Sequence, residues 1–136
     1  MKAIHSYLNF DGTTADAMKF YHGAFGGDLQ MQTFADMKME AHAPGAENRV
    51  IHARLGNGTW VLMASDTPPG MGVNFGNNVH LNLDCESKDE VDRLMKALGD
   101  SGTVTMPAQD MFWGAYFGML KDKFGVHWMF NAESAK

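Results

Sequence analysis

Cysteine is almost missing from the chain: Cys85 stands alone among 136 residues, so no internal disulfide can staple the fold. Long apolar runs are missing too. No stretch has the length of a bilayer crossing or the layout of a secretory leader, so a membrane role is set aside and the cytoplasm is the expected compartment. Basic clusters are also absent. The 11 Lys and Arg are scattered through a chain of net charge −5, which argues against a nucleic-acid surface. Nor does the sequence hold paired carboxylates in one strand, a nucleophile elbow, a phosphate-binding glycine loop or a CxxC pair. It therefore carries no signature of a glycosidase, serine hydrolase, nucleotide-phosphate enzyme or dithiol oxidoreductase.

Methionine, by contrast, is abundant, and 12 thioethers suit irregular core gaps or adaptable pocket walls. The strongest pattern is a repeat. Leu8-Asn9-Phe10-Asp11 returns as Leu81-Asn82-Leu83-Asp84, and each copy leads into an amphipathic helical pattern that closes on glycine, at Gly26 and at Gly99. Leu8 to Leu81, Asp11 to Asp84 and Gly26 to Gly99 each span 73 positions, which indicates a duplicated unit.

In the first copy, residues 3–10 alternate as a strand, with Ile4, Ser6, Leu8 and Phe10 on one face and His5, Tyr7 and Asn9 on the other. Thr13 or Thr14 is placed to cap a helix whose stripe is Ala17, Phe20, Tyr21, Ala24 and Phe25, and Gly26-Gly27 stops it. A strand over 28–34 follows. Residues 35–48 hold no period and read as a long loop able to cover a pocket, and strands 50–55 and 59–65 flank a Gly56-Asn57-Gly58 hairpin turn. Residues 67–78, rich in Pro, Gly and Asn, read as a linker. The second copy opens with a strand over 79–85 that puts His80, Asn82 and Asp84 on one face. Ser87-Lys88-Asp89-Glu90 fits a capping box, with Val91, Leu94, Met95 and Leu98 as the stripe behind it. Strands over 103–106, 113–120 and 126–131 complete it, with a loop through Pro107 and a turn over 121–125.

The order is βαβββ twice. Each helix has one apolar stripe and can cover only one sheet face, so the expected architecture is α+β: two modules of curved mixed sheets with helices outside. One domain, 1–136, is expected to hold module one (about 1–66), the linker, module two (79–131) and a tail (132–136). The uncovered faces, carrying His5, Tyr7, Asn9, His80 and Asn82, are then expected to line a cavity shared by both modules and fit for a small ligand.

At this point the residues resemble a known family. Tyr7-Leu8-Asn9-Phe10-Asp11-Gly12, Ala17-Met18-Lys19-Phe20-Tyr21, Phe25-Gly26-Gly27, Ile51-His52-Ala53-Arg54-Leu55, Leu62-Met63-Ala64-Ser65-Asp66, Val104-Thr105-Met106-Pro107 and Phe112-Trp113-Gly114 come in order. They are followed by Asp122-Lys123-Phe124-Gly125-Val126-His127-Trp128-Met129-Phe130-Asn131. Over nearly its whole length the chain is similar to the vicinal oxygen chelate superfamily of glyoxalases, bleomycin resistance proteins and extradiol dioxygenases. Within it, the likeness is to the PhnB-like branch, also called the demethylubiquinone methyltransferase-like domain. No glycine-rich loop of the kind that holds S-adenosylmethionine follows the first strand.

The resemblance implies a glyoxalase-like fold and, for the wider superfamily, a divalent metal acting as Lewis acid on vicinal oxygens. Its ligand positions fall on His5, His80, Met63 and Met129, so thioethers stand where the family carries carboxylates. Two readings stay open. One is a small-molecule binding protein with a pocket of His5, Tyr7, Asn9, Met63, His80, Asn82, His127 and Met129. The other is a metal-dependent lyase, isomerase or group-transfer enzyme using His5 and His80. His52 and Arg54 share a strand face, and Arg54 could hold an anionic group. Trp113, Tyr116, Phe117 and Trp128 read as core, subunit interface or ligand wall. Asp11 and Asp84 read as local turn or cap residues, and Cys85 as a buried, inert thiol. Open sheet edges and apolar rows near Phe112 predict a homodimer.

Overall fold

Alternation of apolar and polar side chains makes a strand of Ser6–Phe10 (β1), and the sequence then turns helical at Thr14–Phe25 (α1). Asp28–Thr33 (β2), Val50–Gly56 (β3) and Val61–Asp66 (β4) complete the first half. The computed structural model describes residues 1–134 and divides the chain into two units, Met1–Asn74 and a second that begins at Phe75. The division falls inside the segment read as a linker.

In the first unit the strands lie in the order β1-β4-β3-β2, with β1 parallel to β4 and the other pairs antiparallel. Ala53, Leu55, Leu62, Ala64 and Phe10 are buried on one face, and α1 buries Ala17, Met18, Tyr21 and Ala24. Met18 takes a place the periodicity had assigned to Phe20, which is only half-buried. Capping differs as well: neither Thr13 nor a neighbour in the chain caps α1 through its side chain. The cap is Asp66, at the far end of β4. Its Oδ1 accepts from the Gly12 amide (2.9 Å), the Thr14 amide (3.1 Å) and the Thr14 hydroxyl (2.7 Å), while Oδ2 accepts from the Val50 amide (2.9 Å). A carboxylate here meets the positive end of the helix and fixes where β1, β3 and α1 converge. Asp11 instead forms an ion pair with Arg49 at 2.7 Å. The loop after β2 is less open than its sequence implies: Phe34, Ala43 and Ala46 pack with Ile51 into a small core around a 3₁₀ turn, Glu40–His42.

The second unit repeats the plan with Leu81–Asp84 (β5), Lys88–Leu98 (α2), Thr103–Asp110 (β6), Ala115–Lys121 (β7) and His127–Glu133 (β8). Its order is β5-β8-β7-β6, with β5 parallel to β8. The capping box is present: Ser87 Oγ accepts from the Glu90 amide at 3.1 Å, and Glu90 reaches back to the Glu86 amide at 3.2 Å. Val91, Leu94, Met95 and Leu98 are buried, as the stripe predicts. Asp122 closes the β7 to β8 turn, accepting from the Phe124 and Val126 amides and from the Trp128 indole N–H at 2.8 Å.

Several boundaries depart from the sequence reading: β1 and β5 begin only at Ser6 and Leu81, leaving His5 and His80 just ahead of their strands, and β4 and β7 begin at Val61 and Ala115. β6 does not stop before Pro107 but runs through it, because it is an edge strand whose register slips between Val104 and Met106 and again between Met106 and Gln109. Proline is tolerated where no ladder donor is needed. β8 extends to Glu133, so residues 132 and 133 of the expected tail pair with β7, while 135 and 136 lie outside the described residues. No helix among the described residues is long and apolar enough to cross a membrane.

Candidate functional site

Because side chains alternate along a strand, burying one sheet face under a helix leaves the other face to a second set of residues. In the first unit that set is a row: Tyr7 on β1 pairs with Met63 on β4, Met63 with Arg54 on β3, and Arg54 with Gln30 on β2. The Tyr7 hydroxyl lies 3.2 Å from His52 Nδ1, with ring centroids 5.9 Å apart. Asn9 accepts a long hydrogen bond, 3.4 Å, from the Ser65 hydroxyl. His5 stands just ahead of β1 and is exposed, as is Arg54, whereas Met63 is half-buried.

The second unit carries the matching row in a different chemistry. Asn82 on β5 pairs with Met129 on β8, Met129 with Met119 on β7, and Met119 with Met106 on β6, so three half-buried thioethers cross the sheet side by side. At one end of this row His80 and His127 meet, ring centroids 5.1 Å apart and planes tilted by 53°. Lys121 pairs with His127 from the other side. Partial burial holds the His127 pKa below its ordinary value, and the positive charges of His80 and Lys121 add to that; Asp122 and a hydrogen bond with the Gly76 backbone oppose it. Cys85, behind β5, is half-buried; burial foremost, and then the nearby Glu90 carboxylate, push its thiol up to about 11. The raised pKa disfavours the reactive thiolate, while the side chain is half-buried rather than buried as the sequence suggested.

Met106 and Met119 were not among the residues singled out from sequence. Strand parity places Met119 beside Met129, but the slips around Pro107 hide Met106, since a bulge breaks the alternation that parity counting relies on. The aromatic group also divides. Trp128 is fully buried, Tyr116 donates to Asp92 of α2 at 2.7 Å, and Phe117 packs against an exposed Trp113 at 5.9 Å.

The register brings the two halves into correspondence at the positions the resemblance marks. Met63 lies opposite Tyr7 and Met129 opposite Asn82, so His5 and His80 each stand two residues ahead of the residue facing a methionine. This accounts for their separation of 75 rather than 73 positions: a shift of two keeps the face. The donor set, however, does not fit the divalent ion the resemblance implies. Met63 and Met129 offer neutral, soft thioethers in place of carboxylates, and such ions prefer oxygen or imidazole. Among the described residues, no three His, Cys, Asp or Glu side chains converge in a group able to hold a metal.

Comparison with known proteins places this arrangement. Residues 3–130 match the Glyoxalase/Bleomycin resistance protein/Dioxygenase superfamily. Protein YjdN of Escherichia coli (strain K12) is 31% identical over 139 residues, covering 94% of this chain and 93% of that protein. The crystal structure of protein PA1353 from Pseudomonas aeruginosa is 37% identical with a TM-score of 0.86, covering 99% of this chain and 100% of that one. A PhnB protein from Bacillus cereus is 27% identical with a TM-score of 0.78, covering 96% and 99%.

Proposed function

The chain belongs to the Glyoxalase/Bleomycin resistance protein/Dioxygenase superfamily, and from that premise we propose that it is a PhnB-like binder of a small, partly apolar molecule that works without the superfamily's complete metal site. The observation that carries the reading is the row Asn82, Met129, Met119 and Met106. Small-molecule sites are mostly apolar with a few placed polar groups, and thioethers adapt to irregular apolar ligands. Here three thioethers supply the apolar wall. Asn82 and the His80 and His127 pair stand at its polar end. In the first unit, Met63 with Tyr7, Asn9, His52 and exposed His5 offers a more polar counterpart.

A second reading, a metal-assisted lyase, isomerase or group-transfer enzyme, draws on the equivalent placing of His5 and His80. Thioethers at 63 and 129 speak against it. A thermal-shift screen of apolar and aromatic small molecules, run in parallel with and without EDTA, separates the two. Binding at a hundredfold excess over Kd stabilises by about 2.7 kcal/mol. The expected outcome is a ligand that raises Tm equally in both arms and loses its effect in Met119→Asp. A ligand that acts only when a divalent ion is supplied supports the enzyme reading, and a broad screen without any response removes the binding reading. We further propose that the protein is a homodimer, since β1, β2, β5 and β6 all end their sheets as open edges.

A further inference from the structure

We propose that His80 and His127 together form a two-imidazole site for an exchangeable divalent cation of the Zn2+, Ni2+ or Cu2+ class, contained wholly within the second unit. The site differs from the position pairing that the family resemblance implies, because His127 takes part and His5 does not.

Geometry carries the assignment. Leu81 on β5 lies opposite Trp128 on the parallel β8, so the residues just before them, His80 and His127, flank each other on one face. Their ring centroids are 5.1 Å apart with planes tilted by 53°. Two imidazoles bound to one ion through metal–nitrogen bonds of about 2.0–2.1 Å hold their centroids roughly 5 Å apart. The observed centroid separation matches that requirement.

The surroundings set the class and strength of the ion. Imidazole selects zinc, nickel and copper, whereas magnesium and calcium require oxygen. Among the described residues no carboxylate completes the set: Asp122 is taken up by the Trp128 indole and two backbone amides, and Lys121 adds a positive charge beside His127. With water filling the remaining positions, the ion exchanges freely rather than being locked in. The first unit has no such pair. Its residue two places before Met63 is Val61, where the second unit, two places before Met129, has His127.

Isothermal titration of tag-free, metal-free protein with Ni2+ and Zn2+ chloride tests the site, using the full chain and His80→Ala, His127→Ala and His5→Ala variants whose folding is checked by circular dichroism. One ion per chain is expected, with affinity reduced at least about tenfold in His80→Ala and in His127→Ala and unchanged in His5→Ala. Electron paramagnetic resonance of the Cu2+ form adds a reading independent of stability: coupling to two imidazole nitrogens in the wild type and to one in either variant. No binding by the wild type, wild-type affinity in either second-unit variant, or loss of binding in His5→Ala would each overturn the assignment. The inference shares His80 and His127 with the polar end of the proposed ligand site, but titration with metal in the absence of organic ligand and ligand binding in EDTA report the two readings separately.

Discussion

At the scale of single residues, Cys85 shows how a neighbour chosen for one task governs another. Glu90 completes the cap of α2 by reaching back to the Glu86 amide, and the same carboxylate places a negative charge near the half-buried thiol. Burial and that charge disfavour thiolate, holding the pKa at about 11. At pH 8 the folded protein should react with iodoacetamide far more slowly than the urea-unfolded chain. Glu90→Gln, which keeps a cap acceptor but removes the charge, should react severalfold faster than wild type; equal rates would show that burial alone protects the sulfur. Residue types were readable in the sequence, but their company was not. His80 was visible as a candidate from its strand face, yet its partnership with His127 depends on a parallel register between segments more than 40 positions apart. The Tyr7 and His52 contact depends on β4 lying between their strands.

At the scale of elements, the contrast between the two helices is informative. The start of α2 was legible because its cap is local: Ser87 and Glu90 lie three residues apart. At α1 the start was legible too, with Thr13 at the N-cap position, but its capping partner was not, because the acceptor arrives from Asp66, 52 residues beyond Thr14. Asp66→Ala leaves three buried or partly buried amides and a hydroxyl without their acceptor, and should cost roughly 3 kcal/mol or more in urea unfolding of the full chain. Thr13→Ala should change stability by no more than about 0.5 kcal/mol, since its side chain makes no cap bond. Reversal of that order would mean that α1 is held by its own sequence. Pro107 gives the complementary lesson. Proline ends most strands, but an edge strand with bulges has positions that need no donor, and whether a strand lies at an edge is decided by its sheet.

At the scale of the whole molecule, the repeat was the most legible feature, because duplication writes itself into spacing: orders β1-β4-β3-β2 and β5-β8-β7-β6 are the same arrangement made twice. What spacing could not convey is that equal folds carry unequal faces, polar and tyrosine-bearing in one unit, thioether-rich in the other. Four open edges, with Phe112 and Trp113 exposed at the β6 to β7 turn, bear on the proposed assembly. Light scattering should give a mass near twice 15.0 kDa, and a concentration-independent value near 15.0 kDa would refute the dimer.

The parallel pairing of β1 with β4 has a consequence for how the chain is made. On the ribosome the first strand emerges early, but its only neighbour in the sheet is the last strand of the same unit, so it must wait unpaired while the hairpins of β2, β3 and β4 are translated and zipped. The same delay recurs for β5 and β8. Asp66, sitting where β4 ends, is thus both the final piece to arrive and the latch that admits the opening strand and its helix to the finished sheet.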